Sequence, residues 1–171
     1  MLIKAYIDCL IFGLIIFLIV KGIKKIVKAG SVGAKSLMLD KAPRSVISIY
    51  NGYHFTIPQT LMSSNNHYFT QQNDYSIRIA HYDYSDNTQA SQILDYLQSL
   101  CINTTDIKDS SAIQSYIVNG FNALSREVKS KKNKWTFIVY DCKDCYITLS
   151  FKAYNSSFDS LTQQIIHSFG K

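Results

Sequence analysis

The chain predicts an α+β fold: an antiparallel sheet with two amphipathic helices packed on one face, preceded by a single N-terminal transmembrane helix. Three features lead there. Residues 9–20, CLIFGLIIFLIV, form an unbroken apolar run with lysines directly after it. Residues 75–84 and 145–154 alternate apolar and polar side chains, as strands with one buried face do. Residues 88–100 and 157–170 repeat apolar side chains at helical spacing instead.

The apolar run comes first. Residues 5–7 and 22–23 extend it to about 19 residues, roughly 28 Å as a helix, close to the thickness of a hydrocarbon core. Asp8 and Lys21 weaken the span. A carboxylate at mid-helix would cost about 2.5–3.5 kcal/mol, less near an end, and a lysine can snorkel toward headgroups. A cleaved signal peptide and a buried hairpin helix are the alternatives. A signal peptide would want a basic segment before the run and small residues after it, whereas only Lys4 precedes and lysines follow. Lys21, Lys24, Lys25 and Lys28 are expected to contact anionic lipid headgroups, at about 1 kcal/mol each. Basic flanks stay on the cytoplasmic side, so the rest of the chain is expected in the cytoplasm, tethered to the inner membrane.

The charge is unevenly placed. Residues 1–45 hold eight basic and two acidic side chains, a net of +6, and residues 46–171 hold ten of each. The basic balance therefore belongs to the anchor, and nucleic acid is not an expected partner. The organisation read from this is an anchor with a polybasic flank at 1–28, a linker at 29–44, and one domain at 45–171. The linker is rich in small residues and ends in Ala42-Pro43-Arg44.

The domain opens with a β-prone stretch, 45–50, closed by the turn pair Asn51-Gly52, and a second strand at 53–57. Strands are expected next at 67–70 and 75–84. In the latter, Tyr75, Ile77 and Ile79 share one face while Ser76 and Arg78 share the other. A helix follows, capped by Asp86, Asn87 or Thr88, with Ala90, Ile93, Leu94, Leu97 and Leu100 as its stripe. Residues 112–128 could be read as a helix, but the turn pair Asn119-Gly120 favours a hairpin of two strands. Residues 135–141 and 145–154 form another, with Ile147, Leu149 and Phe151 inward and Thr148, Ser150 and Lys152 on a wet face. The last helix is expected from Ser156 or Ser157, burying Phe158, Leu161, Ile165 and Phe169 and ending at Gly170.

This order of elements resembles the PsbP/DcrB-like superfamily. The matching stretches are residues 45–57 (SVISIYNGYHFTI), 116–124 (YIVNGFNAL) and 135–169, with the Phe-x6-Ile-x3-Phe pattern of the closing helix. The resemblance implies a non-catalytic domain that binds proteins, assists assembly or acts as a chaperone. It includes the Eag-type chaperones that shield transmembrane segments of secreted effectors. Many members of the superfamily are soluble or lipid-anchored, so a helical anchor departs from the pattern.

Chemical motifs are sparse. Cys142-Lys-Asp-Cys145 has the CxxC spacing of zinc and redox sites, but no second CxxC or spaced histidine pair completes a metal set. The pair spans a two-residue turn, where reduced thiols or a disulfide would both fit. His54, His67, His81 and His167 are scattered, and alternation puts His81 and Asp83 on one face as a simple pair. Glu127 is the single glutamate, and there is no nucleophile elbow or phosphate loop. The lysines of 129–134 read as a solvated turn. Tyr82, Tyr84, Tyr146 and Tyr154 fall at wet-face positions or strand ends and are the expected protein-binding face. The expectation is a membrane-tethered, non-catalytic domain that needs no cofactor. It would serve an unknown protein partner as assembly factor, adaptor or chaperone. The alternative is an immunity or inhibitor-type protein with its domain outside the cytoplasm, where Cys142 and Cys145 could close.

Overall fold

The computed structural model describes residues 2–84, 88–154 and 157–171, with side chains of the first helix described from residue 13 onward. The chain divides into two compact units, Met1–Lys35 and Ser36–Lys171.

Helix α1 (Leu2–Lys41) is continuous over 40 residues, about 60 Å. The expected transmembrane helix is overturned: among the described residues, no helix is long and apolar enough to cross a membrane. From Gly13 the apolar run lasts only to Val20, and Lys21, Lys24, Lys25 and Lys28 then interrupt it within two turns. The side chains of Lys4, Asp8 and Cys9, at the start of the expected span, lie outside the described residues. Residues 14–20, Ile23, Ile26 and Val27 are exposed, as are the four lysines, and the Lys21 ammonium lies 6.0 Å from the Phe17 ring centre. The expected linker at 29–44 is corrected as well. Gly30 and Gly33 do not break the helix, which runs through this stretch and ends just before Pro43. The residue preceding a proline is pushed out of helical conformation, so Pro43 sets that end.

The second unit is built on an eight-stranded antiparallel sheet. Its strands are β3 (Met62–Ser64), β4 (His67–Phe69), β5 (Tyr75–Asp83), β6 (Ile107–Ser110), β7 (Gln114–Val118), β8 (Phe121–Ser130), β9 (Lys134–Asp141) and β10 (Cys145–Ala153). They lie in the order β3-β4-β5-β10-β9-β8-β6, and β7 pairs with the first half of β8. A separate hairpin joins β1 (Arg44–Ser48) to β2 (His54–Pro58). The expected Asn-Gly turns close two hairpins, with positive φ at Asn51, Gly52, Asn119 and Gly120. Sequence reading missed β3 and β6. Asn65 and Asn66, both at positive φ, make the β3–β4 turn without a glycine.

Helix α2 (Ala90–Cys101) buries Ile93, Leu94 and Leu97, and helix α3 (Asp159–His167) buries Leu161, Thr162, Ile165 and Ile166. The residue before α2 is Gln89, whose N–H donates to Gln92 Oε1. Of the expected caps, Asp86 and Asn87 lie outside the described residues, as does Ser156 ahead of α3.

The two helices do not share a face, contrary to expectation. Phe137 and Val139 of β9 pack with α2 and Tyr146, whereas Tyr140 donates from its hydroxyl to the Ile166 carbonyl of α3 at 2.9 Å. Alternate residues of β9 therefore meet different helices. The reason stands in the sequence of β9, WTFIVY, an almost continuous apolar run of the kind that is buried on both sides. Thr148 and Ser150, expected on a wet face, are buried as a result. On the α3 side, Phe169 is held among Tyr140, Phe55 and Phe121, with ring centres 4.0, 4.9 and 4.9 Å away. Gly170 then bridges to His54 of β2 through two backbone hydrogen bonds of 2.9 and 3.1 Å.

Candidate functional site

Helix α2 covers only part of its face of the sheet. It lies over β8 and β9, where Phe137, Val139 and Val128 meet Ile93, Leu94 and Leu97. The same face continues through β10, β5 and β4, and Tyr146 of β10 and Tyr82 of β5 also pack against the α2 cluster. The register fixes what that face carries. His67 pairs with Arg78, and Arg78 with Ser150. In the next row Phe69 pairs with Ser76, and Ser76 with Lys152. Side chains opposite one another in an antiparallel pair point the same way, so these residues share one surface.

The result is a trough between α2 and the β3–β4 hairpin. Its main compartment holds about 420 Å³, with Leu97, Leu100 and Cys101 on the helix wall and Asn65 and Asn66 on the hairpin wall. A smaller compartment of about 140 Å³ continues it past Arg78 to Trp135 and Lys152. Residues 76–82 of β5, which run along the floor, span roughly 20 Å. The trough has two chemical ends. At one, Tyr82 meets Tyr96 edge-on with ring centres 6.4 Å apart, and Leu100 lies a turn further along α2, 59% exposed. At the other, Arg78 is exposed and the Lys152 ammonium sits 5.9 Å from the Trp135 ring centre. Among the described residues, no aspartate or glutamate lines either compartment.

The titrating groups respond to this environment. His67 is held below the ordinary histidine value, by burial first and then by the nearby Arg78 and Lys152 charges. Burial pushes the Cys101 thiol up, partly offset by Arg78 and a hydrogen bond with Ser150. A thiol shifted that way is a poor nucleophile near neutral pH.

The four tyrosines expected to form one face are divided. Tyr82 is half-buried against α2, and Tyr146 is buried, with its hydroxyl donating to the Thr88 carbonyl at 3.0 Å. Tyr84 stacks on Tyr146 at 5.3 Å and is 48% exposed. These three gather at the aromatic end of the trough. Tyr154 stands just beyond the opposite end of β10, roughly 27 Å from Tyr146 along the strand. Arg78, Lys152, His67, Tyr96 and Leu100 were not singled out as site residues. The polar faces of β5 and β10 were legible, but nothing local in the sequence says that those two strands pair.

Cys142 and Cys145 flank the Lys143-Asp144 turn, where the Cys142 N–H donates to the Cys145 carbonyl at 3.0 Å. Both are buried free thiols. Among the described residues no group of three or more His, Cys, Asp or Glu side chains could hold a metal ion. His81 stacks on Tyr50 at 4.4 Å, where a pairing with Asp83 was expected. Lysines of the 129–134 turn pair outward, Lys129 with Asp109 and Lys131 with Asp106.

No family model matches the sequence, and no curated protein matches it. Among solved structures, the chain is similar to the solution structure of cyanobacterial PsbP (CyanoP) from Synechocystis sp. PCC 6803. The TM-score is 0.56 at 13% identity, covering 75% of this chain and 92% of that one. At that identity the likeness concerns the fold, which is PsbP-like.

Proposed function

We infer that the Ser36–Lys171 unit is a non-catalytic protein-binding domain, serving as assembly factor, adaptor or chaperone, and that the trough beside α2 receives a segment of its partner. One observation carries this reading: a trough on the sheet face beside α2, with Tyr82 lining it and Leu100 exposed on its helix wall. Large apolar and aromatic side chains beside a concavity are what a partner's side chains can bury against, and aromatic residues are enriched in such anchors. The trough's length suits an extended stretch of chain.

The test is a photo-crosslinking residue placed at Leu100 in the full chain, in the cells that make it, with the same residue at Lys132 in the exposed β8–β9 turn. A discrete adduct from position 100 that is absent from position 132 is expected. Equal labelling from both positions, or none from position 100 while the protein stays folded, would overturn the reading.

A further inference from the structure

The charge pattern of the domain says what kind of segment fits. Residues 46–171 carry equal numbers of basic and acidic side chains, and four of the basic ones outside the trough form ion pairs among the described residues. Arg126 pairs with Asp95 at 2.6 Å, Lys131 with Asp106 at 3.1 Å, and Lys134 with both Glu127 and Asp159. Arg78 and Lys152 line the trough itself. Neither takes part in an ion pair among the described residues, although they stand in adjacent rows of neighbouring strands on the same surface. His67 adjoins Arg78 on its other side. The buried hydroxyls of Ser76 and Ser150 lie between the two cations.

We propose that the trough recognises an acidic extended peptide, whose carboxylate pairs with Arg78 and Lys152 while a neighbouring apolar side chain lies against Tyr82, Tyr96 and Leu100. This rests on the protein-binding reading and names the chemistry of the partner. An exposed guanidinium offers a planar fork that matches a carboxylate, and Lys152, steered by the Trp135 ring, supplies a second charge. The wall of Leu97 and Leu100 begins within the same compartment as Arg78. A ligand that satisfies both ends therefore carries an acid and an apolar group within a few residues of each other along one extended chain. Nucleic acid fits less well, because two cations and no track of them beyond the trough would leave most phosphates unpaired. His67, whose proton affinity is lowered by burial first and then by the Arg78 and Lys152 charges, would gain affinity for a proton beside a bound carboxylate. Arg78 on β5, Lys152 on β10 and Cys101 on α2 are the charged and titratable groups around this end of the trough.

The experiment pans a displayed library of random dodecapeptides against the immobilised full chain. Enriched peptides are then synthesised and their affinities measured for wild type, the Arg78→Gln/Lys152→Gln pair, the Arg78→Glu/Lys152→Glu pair and Leu100→Asp, each checked for an unchanged melting transition. Aspartate or glutamate beside an aliphatic or aromatic residue is the expected consensus. The Gln pair should weaken binding by roughly tenfold or more, as loss of a charge-assisted contact does. Panning the Glu pair should select lysine and arginine in place of the acids, a gain that misfolding cannot imitate. Three other outcomes overturn the proposal. Peptides that are apolar without acids, bind the Gln pair as well as wild type and are lost with Leu100→Asp would sink the acidic segment while leaving the protein-binding trough intact. Peptides indifferent to every trough variant would sink both. Full competition by inorganic phosphate or single-stranded oligonucleotide at millimolar phosphate, with no peptide consensus, would assign the cations to a small anion or a nucleic acid.

Discussion

At Cys142 and Cys145 two side chains that look reactive in the sequence are made quiet by their surroundings. Burial pushes the Cys142 thiol up to about 12 and the Cys145 thiol to about 11, and each is raised further by negative charge close by, including Asp144. Native alkylation at pH 8 should therefore modify Cys101 well before this pair, which should become reactive only in denaturant. Peptide mass spectrometry after timed iodoacetamide exposure reads the order, and early labelling of Cys142 would contradict it. The sign for stability follows. Because the folded state holds these protons more tightly than an unfolded thiol of ordinary value 9.0, their contribution is complete below about pH 9 and declines as pH rises toward 11–12. The CxxC spacing announced a turn correctly. What it could not announce was burial, which depends on Tyr53 of a distant hairpin donating its hydroxyl to the Cys142 carbonyl.

Elements were most legible where two local signals agreed. Asn-Gly turns between alternating stretches located β1–β2 and β7–β8, and polar breaks located β9 and β10. The β3–β4 hairpin was missed because its strands are short and its turn is Asn-Asn. The helix at 29–41 was missed because small residues were weighed as linker composition, although alanine and isolated glycine are tolerated in a helix that Pro43 then stops. The closing segment after α3 joins two elements and should be costly to lose. Phe169 is fully buried among Tyr53, Phe55, Phe121 and Tyr140, and its neighbour Gly170 ties the chain to β2. Truncating an enclosed phenylalanine leaves a cavity that rigid rings cannot close, so Phe169→Ala should cost about 3–5 kcal/mol in a denaturant titration. A loss below about 1 kcal/mol would mean that the C-terminal strand bridge does not hold β2 in place.

Over the whole chain, the sequence predicts an anchor at 1–28, a linker at 29–44 and a charge-balanced domain at 45–171, and the chain clusters into the units Met1–Lys35 and Ser36–Lys171. The first lies in a long helix with no described stretch apolar enough to span a membrane. In the second, the helices flank the sheet instead of sharing a face, because β9 is apolar on both sides. Beside α2 lies the trough, lined by residues of β4, β5 and β10. Pairing of β5 with β10 across some seventy residues of chain brings Arg78 beside Ser150 and Lys152, a long-range event with no local signature. The competing surface is the free edge of β7, where Ile117 is 69% exposed and a partner strand could add to the sheet. Hydrogen exchange on the full chain, with and without a saturating library-selected peptide, separates the two. Slowed exchange confined to the β3–β4 hairpin and the C-terminal turn of α2 is the expected result. Protection of residues 114–118 with the trough unchanged would contradict it and move the binding surface to the sheet edge.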